Sequence, residues 1–263
     1  MLKTNFIKFT ASLLFISAMS VIAQTPEEKG SQIATESDNR DIGFGDSQSE
    51  LKMILRNKQG DESTRKMSNK TLEVDGDGDK SLVIFNEPRD VKGTAFLSFT
   101  HKSGPDDQWL YLPALKRVKR IASDNKSGPF MGSEFAYEDI SSQEVEKYTY
   151  KYIKDEKMNG MDCYLVERYP VDKSSGYTRQ EVWYDKEHYR PMKVMFYDRK
   201  NSKLKTLNYE SYKQYLDKYW RANKLLMVNH QTGKSTDLNF EGYKFANGFS
   251  ESDFNKNSLK RAR

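Results

Sequence analysis

Hydrophobic and polar positions alternate along most of the chain after Ser47, and turn residues separate the alternating stretches. Leu51, Met53 and Leu55, for example, alternate with charged or polar neighbours. A period of two is typical of strands that bury one face. The same pattern predicts strands at residues 65–74, 82–85, 94–100, 109–112, 115–121, 146–155, 162–169, 176–185, 191–198, 204–212, 225–229 and 236–243. No linker or repeat divides these stretches, so the chain predicts one antiparallel meander, as an up-and-down sheet or barrel.

Two segments interrupt the alternation. Residues 26–41 predict a helix, because Pro and two Glu stand at its start and Gly43 and Gly45 end it. Residues 123–142 contain Gly-Pro-Phe-Met-Gly and then an aromatic and acidic stretch, which predicts a loop and a short helix with exposed aromatic side chains. We interpret this second segment as a lid over the sheet.

The first 23 residues have the pattern of a secretory signal peptide. Lys3 and Lys8 supply a positive start, residues 9–22 are mainly apolar, and Ala23 provides a small residue for cleavage. The apolar stretch is shorter than the ~20 residues that a membrane-spanning helix needs. We therefore expect an exported, periplasmic chain of residues 24–263 that forms a single domain. Gln24, rather than Cys, would be its first residue, so we expect no lipid tether.

Composition and charge exclude several classes of protein. Apolar residues make up 36% of the chain, charged residues 31% and aromatic residues 13%, which is typical of a folded globular protein with a substantial core or apolar pocket. The net charge of only +5 does not indicate a nucleic-acid-binding surface. Cys163 is the only cysteine, so neither an intrachain disulfide nor a cysteine zinc site can form. We expect a monomer.

An acidic run from Asp75 to Asp79, with Asp at every second position, is similar to the start of a calcium-binding loop. Such a loop requires Gly at its sixth position and Glu at its twelfth, where this chain has Lys80 and Asn86. A hairpin turn is the favoured interpretation, and we predict no metal site.

A second candidate is an esterase signature. Gly45-Asp46-Ser47 together with Asp185 and His188 is similar to the blocks of GDSL-type lipases, in which the serine attacks an ester and the histidine accepts its proton. That enzyme family is built on a parallel sheet, whereas this chain predicts an antiparallel one. The histidines are isolated, and no nucleotide-binding loop occurs, so we expect neither an enzyme nor a cofactor.

Several predicted strands are apolar on both faces. In residues 192–197, one face carries Met192, Val194 and Phe196, while the other carries Met195 and Tyr197. Both faces must then be covered. Either helices and loops pack there as an ordinary core, or a curved sheet encloses an apolar cavity for a lipid-like ligand.

Four blocks of the sequence carry a family resemblance. Residues 40–46 (Arg-Asp-Ile-Gly-Phe-Gly-Asp), 93–97, 111–121 (with Leu-Pro-Ala-Leu) and 130–139 (with Phe-Met-Gly) resemble the LolA-like outer-membrane lipoprotein-sorting protein family, over residues 30–254. The resemblance implies a mainly β, α+β protein: a strongly curved antiparallel half-barrel of the LolA/LolB type. Helices would cover the sheet, and its concave face would hold acyl chains.

The resemblance also implies a function. The protein would be a periplasmic carrier for the acyl chains of a lipoprotein or another lipid, with an RND-type membrane permease as a partner. A ligand-free docking subunit of an envelope complex and, below it, a lipid esterase are the alternatives. Strand alternation and the lid block give the candidate lining residues: Phe96, Phe99, Trp109, Tyr111, Phe130, Phe135, Val182, Tyr184, Met192, Val194 and Phe196. Each could equally belong to the core.

A basic block lies at residues 116–120. On a strand, Arg117 and Lys119 point to the same side, where they could contact an anionic headgroup or an acidic partner. A solvated edge strand protected by its charges is the other interpretation.

Overall fold

The computed structural model describes residues 24–257 and 259–261. The expected signal peptide lies outside these residues. The described chain forms one antiparallel sheet, helix α1 (Pro26–Asn39) and a short helix α2 (Tyr137–Ile140). The strands of the sheet are β1 (Asp46–Arg56), β2 (Glu62–Leu72), β3 (Lys80–Glu87), β4 (Ala95–Phe99), β5 (Asp107–Leu112), β6 (Arg117–Ile121), β7 (Tyr148–Met158), β8 (Met161–Pro170), β9 (Tyr177–Asp185), β10 (Pro191–Asp198), β11 (Lys203–Tyr215), β12 (Tyr219–Asn229) and β13 (Ser235–Phe245).

The strand order departs from a simple meander at one place. Sequential strands are neighbours throughout, except that β6 and β7 form the two opposite edges of the sheet. The first and last strands, β1 and β13, instead pair at its centre, with Leu51 opposite Phe240 and Met53 opposite Leu238. The result is the predicted curved half-barrel, open between β6 and β7.

Helix α1 begins with a capping box and packs on edge strand β7. Glu28 N donates to Thr25 Oγ1 over 3.1 Å, and Thr25 N donates to the Glu28 carboxylate over 2.9 Å. Gly30 then lies directly on the strand, since a Cβ at this position would stand 2.7 Å from Tyr152 N. Only glycine allows so close an approach. The predicted helix is confirmed, and it ends two residues earlier than expected.

The inner face of the sheet, on which α1 packs, carries the main core. Its fully buried side chains come from strands on both halves of the sheet and include Met53, Met67, Phe85, Phe96, Val166 and Met227. Two smaller clusters cover the outer face. One joins β3–β6 to the C-terminal segment through Phe254 and Leu259, and the other lies on β8–β10 around Trp183. Both faces of the sheet are therefore packed, as the doubly apolar strands predict.

Residues 122–147 run from one edge of the sheet to the other across the inner face. Phe130 and Phe135 in this segment are each only 1% exposed, so the expectation of exposed aromatic side chains is wrong. The ring of Phe130 lies 5.2 Å from that of Phe96 and 6.0 Å from that of Phe85. We call residues 122–147 the crossing segment. It covers the sheet, as predicted of a lid, and it is also part of the core.

A buried ion pair anchors the crossing segment to the sheet. Lys205 Nζ donates to Asp139 Oδ2 over 2.6 Å and to the Glu134 carbonyl over 2.9 Å. The Tyr177 hydroxyl donates to the same carboxylate over 2.9 Å. Both charged side chains are at most 5% exposed. Adjacent Glu138 points elsewhere and accepts from Gly176 N and the Ser175 hydroxyl.

Replacing Asp139 by alanine is expected to lower the free energy of unfolding by about 3–5 kcal/mol, because the Lys205 ammonium would remain buried without its counter-ion. Denaturant unfolding followed by circular dichroism measures the loss. The Asp162→Ala variant is the control, since this carboxylate is exposed at 62% and pairs only loosely with Lys157. Equal stabilities of the two variants would contradict the anchoring role.

Candidate ligand cavity

A cavity of about 520 Å³ opens on the inner face, beside the crossing segment. Its walls are the C-terminal end of α1 with the following loop, the β2–β3 turn, and the inner sides of strands β8–β13. This volume lies within the range of ~300–1,000 Å³ typical of small-ligand sites.

The wall formed by the strands is mainly aliphatic and aromatic. Val182, Val194 and Leu225 lie on neighbouring or nearby strands and face the same space. Tyrosines surround them, with apolar rings and polar hydroxyl groups. The aromatic residues of this wall are Tyr150, Tyr184, Tyr189, Tyr209, Tyr212, Trp220, Phe240 and Tyr243. Such a wall can bury an apolar chain and still offer hydrogen bonds to a polar group.

The opposite wall is acidic. Asp38 of α1, Asp79 of the β2–β3 turn and Glu144 of the crossing segment line it. Burial, together with the negative charges of the neighbouring carboxylates Glu73 and Asp41, raises the pKa of Asp79 to about 7. Burial and the charge of Asp79 also raise the pKa of Glu144 to about 7. These two carboxyl groups therefore titrate near neutral pH.

A loop of residues 40–45 forms one rim of the cavity. Gly43 N and Gly45 N donate to the two oxygens of the Glu73 carboxylate, over 2.6 and 2.7 Å. Both glycines have positive φ, at 96° and 73°, a conformation that glycine adopts without strain. Lys218 Nζ donates to the Ile42 carbonyl over 2.7 Å. The side chain of Ile42 is 47% exposed at this rim.

The predicted lining residues fall into three groups. Val182, Tyr184 and Val194 line the cavity. Phe96, Phe130, Phe135 and Phe196 belong to the adjoining inner core. The remaining four, Phe99, Trp109, Tyr111 and Met192, belong to the outer clusters and do not face this cavity. A ligand-binding role for the inner residues stays a prediction.

Two physical causes explain why these four predicted residues lie on the outer face of the sheet. Phe99 of β4 and the β5 residues Trp109 and Tyr111 lie on the same face of the sheet as Leu97. The C-terminal segment covers this face. Strand alternation alone does not show which face is the inner one. At the start of β10, a register shift between Pro191 and Lys193 turns Met192 toward the outer cluster. A β-bulge of this kind interrupts the period of two.

Arg168 is a cavity residue that the sequence reasoning missed. It lies on β8, two positions after the fully buried Val166, and its side chain faces the cavity. A cation at an inner-face position of a buried strand is the signal that could have revealed it.

The esterase geometry is absent from the described residues. Ser47 and His188 both line the cavity, but no hydrogen bond joins them. Asp185 accepts from the backbone of His188 and from the Arg190 side chain, over 2.7 and 2.8 Å, instead of orienting the imidazole. The His188 ring packs against Trp220 in a tilted arrangement, with the ring centroids 4.8 Å apart. The three residues therefore do not form a catalytic triad.

The other motifs are turns and strands. Residues 73–79 connect the antiparallel pair β2 and β3, so the predicted hairpin is confirmed. Asp77 accepts from His101 Nδ1 over 2.8 Å. In residues 24–257 and 259–261, no group of three or more His, Cys, Asp or Glu could hold a metal ion, and no helix is long and apolar enough to span a bilayer. Arg117 and Lys119 are exposed on edge strand β6.

The fold is shared with proteins of the LolA superfamily. A crystal structure of a LolA superfamily protein from Nitrosomonas europaea has a TM-score of 0.70 and 21% sequence identity, covering 89% of this chain and 99% of that one. A DUF1329 family protein from Desulfovibrio piger has a TM-score of 0.84 and 29% identity, covering 90% and 100%.

A crystallised domain from Vibrio parahaemolyticus, described as an outer membrane lipoprotein-sorting protein, is 64% identical, with a TM-score of 0.88 and coverage of 89% of this chain and all of that one. A family model described as "uncharacterized protein" matches residues 77–261. No curated protein matches. The chain belongs to the LolA-like outer-membrane lipoprotein-sorting protein family.

The acidic wall predicts a pH dependence of stability. Because the folded pKa values of Asp79 and Glu144 exceed those of the unfolded chain, the folded state binds protons more tightly between about pH 4 and 7. The free energy of unfolding should therefore rise by about 1–3 kcal/mol as the pH falls from 7.5 to 5.

Denaturant unfolding at each pH measures this slope, and the Asp79→Asn, Glu144→Gln double variant should flatten it. Asp172→Asn is the control, since hydrogen bonds from Lys126 and Ser174 outweigh burial and lower the pKa of Asp172 to about 2, outside the range. An unchanged slope in the double variant would refute this explanation.

Proposed function

We propose that this protein is a periplasmic carrier that binds the acyl chains of a lipoprotein or another lipid in the inner-face cavity and moves them across the envelope. The observation that carries the proposal is the cavity of about 520 Å³, lined by Val182, Val194 and Leu225, in a chain of the lipoprotein-sorting family. Each methylene group removed from water there contributes ~0.8 kcal/mol.

Cargo exchange requires a part of the wall that can move. The crossing segment is a poor candidate, because Asp139 and Phe130 fix it within the core. The 40–45 loop is the better one, since it lies at the rim of the cavity, its Ile42 side chain is exposed, and two glycines permit changes in its backbone. We propose that this loop, with the end of α1, opens the cavity.

An RND-type membrane permease is the proposed partner, and β6 is the proposed contact. Arg117 and Lys119 are exposed on this strand, at the open edge of the sheet. Their charge and position suit an acidic partner surface or an anionic headgroup. The docking function that was the alternative to a carrier would use the same edge.

The cargo is tested by purifying the mature chain from a periplasm and analysing bound material by native mass spectrometry and lipid extraction. We expect stoichiometric intact lipid or lipopeptide, and its loss in the Ala222→Trp variant, which fills the cavity from β12. Asn223→Trp, on the same strand but outside the lining, is the matched control. Protein that stays empty even after incubation with lipid vesicles would favour the docking subunit, and hydrolysed lipid would favour an esterase.

Charge reversal of the β6 edge tests the partner contact. The Arg117→Glu, Lys119→Glu double variant should bind the partner or anionic vesicles at least ~10-fold more weakly, because attraction becomes repulsion. Its melting temperature should be unchanged, since both residues are exposed. Lys157→Glu, Lys154→Glu, in the opposite edge strand, controls for net charge. Unaltered binding in the β6 variant would remove this edge from the proposal.

A further inference from the structure

Arg168 differs from the other arginines of the cavity in having no acidic partner. Arg40 pairs with Glu36 and Arg190 with Asp185, over 2.7 and 2.8 Å, and Arg221 pairs with Asp41. No carboxylate of the described residues lies within 4 Å of the Arg168 guanidinium. Yet Arg168 is 8% exposed, and thus the most deeply buried of the four.

The contacts of Arg168 are all with neutral groups. Nε donates to Gln180 Oε1 over 2.8 Å, and Nη2 donates to Gln143 Oε1 over 3.2 Å. The guanidinium lies over the ring of Tyr148 at 4.5 Å. These contacts hold the side chain in place but leave its charge uncompensated. The Nη1 group has no acceptor among the described residues, and the side chain borders the cavity.

Two tyrosines offer further donors beside this cation. Tyr184 on β9 and Tyr209 on β11 line the same cavity, and the positive charge of Arg168 interacts electrostatically with both phenol groups. In the part of the chain that the structure describes, neither hydroxyl has a hydrogen-bond partner. A buried cation without a counter-ion is costly, and an arginine fork with adjacent hydroxyl donors suits a planar or tetrahedral oxyanion.

We propose that Arg168, with the hydroxyls of Tyr184 and Tyr209, binds the carboxylate or phosphate group of an acyl amphiphile whose chain lies along Val182, Val194 and Leu225. This inference rests on the proposed function, because it requires a ligand in the cavity. It adds an orientation for the bound ligand, whose anionic group lies toward β8. The carboxylates of Asp38, Asp79 and Glu144 on the facing wall disfavour a free anion there and make the apolar chain necessary for binding.

The test compares myristate with its uncharged glycerol ester, which has the same chain. Binding to the mature chain is followed by calorimetry and by intrinsic tryptophan fluorescence, to which Trp220 in the cavity lining contributes together with Trp109 and Trp183. Wild-type protein should bind myristate ~10–100-fold more tightly than the ester. Arg168→Gln should remove this preference and leave ester binding within ~3-fold. Arg221→Gln is the matched control, and it should keep the preference because Arg221 already pairs with Asp41.

The Tyr184→Phe, Tyr209→Phe variant tests the site without removing the buried guanidinium, so it remains informative if Arg168→Gln does not fold. It should reduce the preference for myristate ~3–10-fold. Equal binding of myristate and ester by the wild type would overturn the anion site while leaving the carrier intact. An unchanged preference in both variants would overturn the assignment to these residues.

Two competition experiments distinguish an anionic group on an acyl chain from a free anion. Tetradecyl phosphate should compete with myristate, whereas inorganic phosphate at millimolar concentration should not. Competition by inorganic phosphate alone would mean a site for a free anion and would overturn the amphiphile. If no acyl compound binds at all, the proposed carrier function fails, and the inference that rests on it fails too.

Discussion

The structure depends on how the inner face of a long, open sheet is covered. A sheet with apolar residues on both sides must bury both. Residues 122–147 solve this for the inner face by joining the two edge strands across it, and the ion pair of Asp139 with Lys205 determines where the segment lies. Tyr177 donates a hydrogen bond to Asp139, and the Glu134 carbonyl accepts one from Lys205, so both charged groups have further polar partners within the protein. Buried ion pairs contribute little net stability, so its main effect is on the position of the segment.

The cavity is a consequence of this arrangement. The crossing segment fills the inner face with Phe130 and Phe135, while α1 is held on β7 by the close contact at Gly30. Neither element fills the space between them, which the tyrosines and aliphatic side chains of β8–β13 border. A ligand space therefore requires no opening of the core. In the proposed carrier, the short 40–45 loop and the end of α1 move instead.

The strands could be predicted from the sequence because alternation and turn residues act locally. Each predicted strand occurs, and α1 is confirmed through its capping residues. The pairing of β1 with β13 could not be predicted, since residues almost 190 positions apart make it and no local pattern encodes it. The identity of the inner face has the same limit. Phe96 and Phe99 are equally apolar, and the distant segments that cover them distinguish them, since Phe130 packs on Phe96 and the C-terminal segment covers Phe99. The setting of Arg168 likewise depends on a contact with Gln143 of the crossing segment, and the position of Met192 depends on a register shift between β9 and β10.

The electrostatics of the cavity suit reversible binding better than permanent storage. An apolar wall alone would hold an acyl chain more tightly with every methylene buried. Here polar groups share the lining, and Asp79 and Glu144 lie opposite the strand wall with pKa values of about 7. Near neutral pH these carboxyl groups alternate between charged and neutral forms, and their repulsion of an anionic cargo changes with them. In the proposed carrier function, the balance between chain burial and this repulsion makes binding reversible, which a carrier needs and an ordinary core does not.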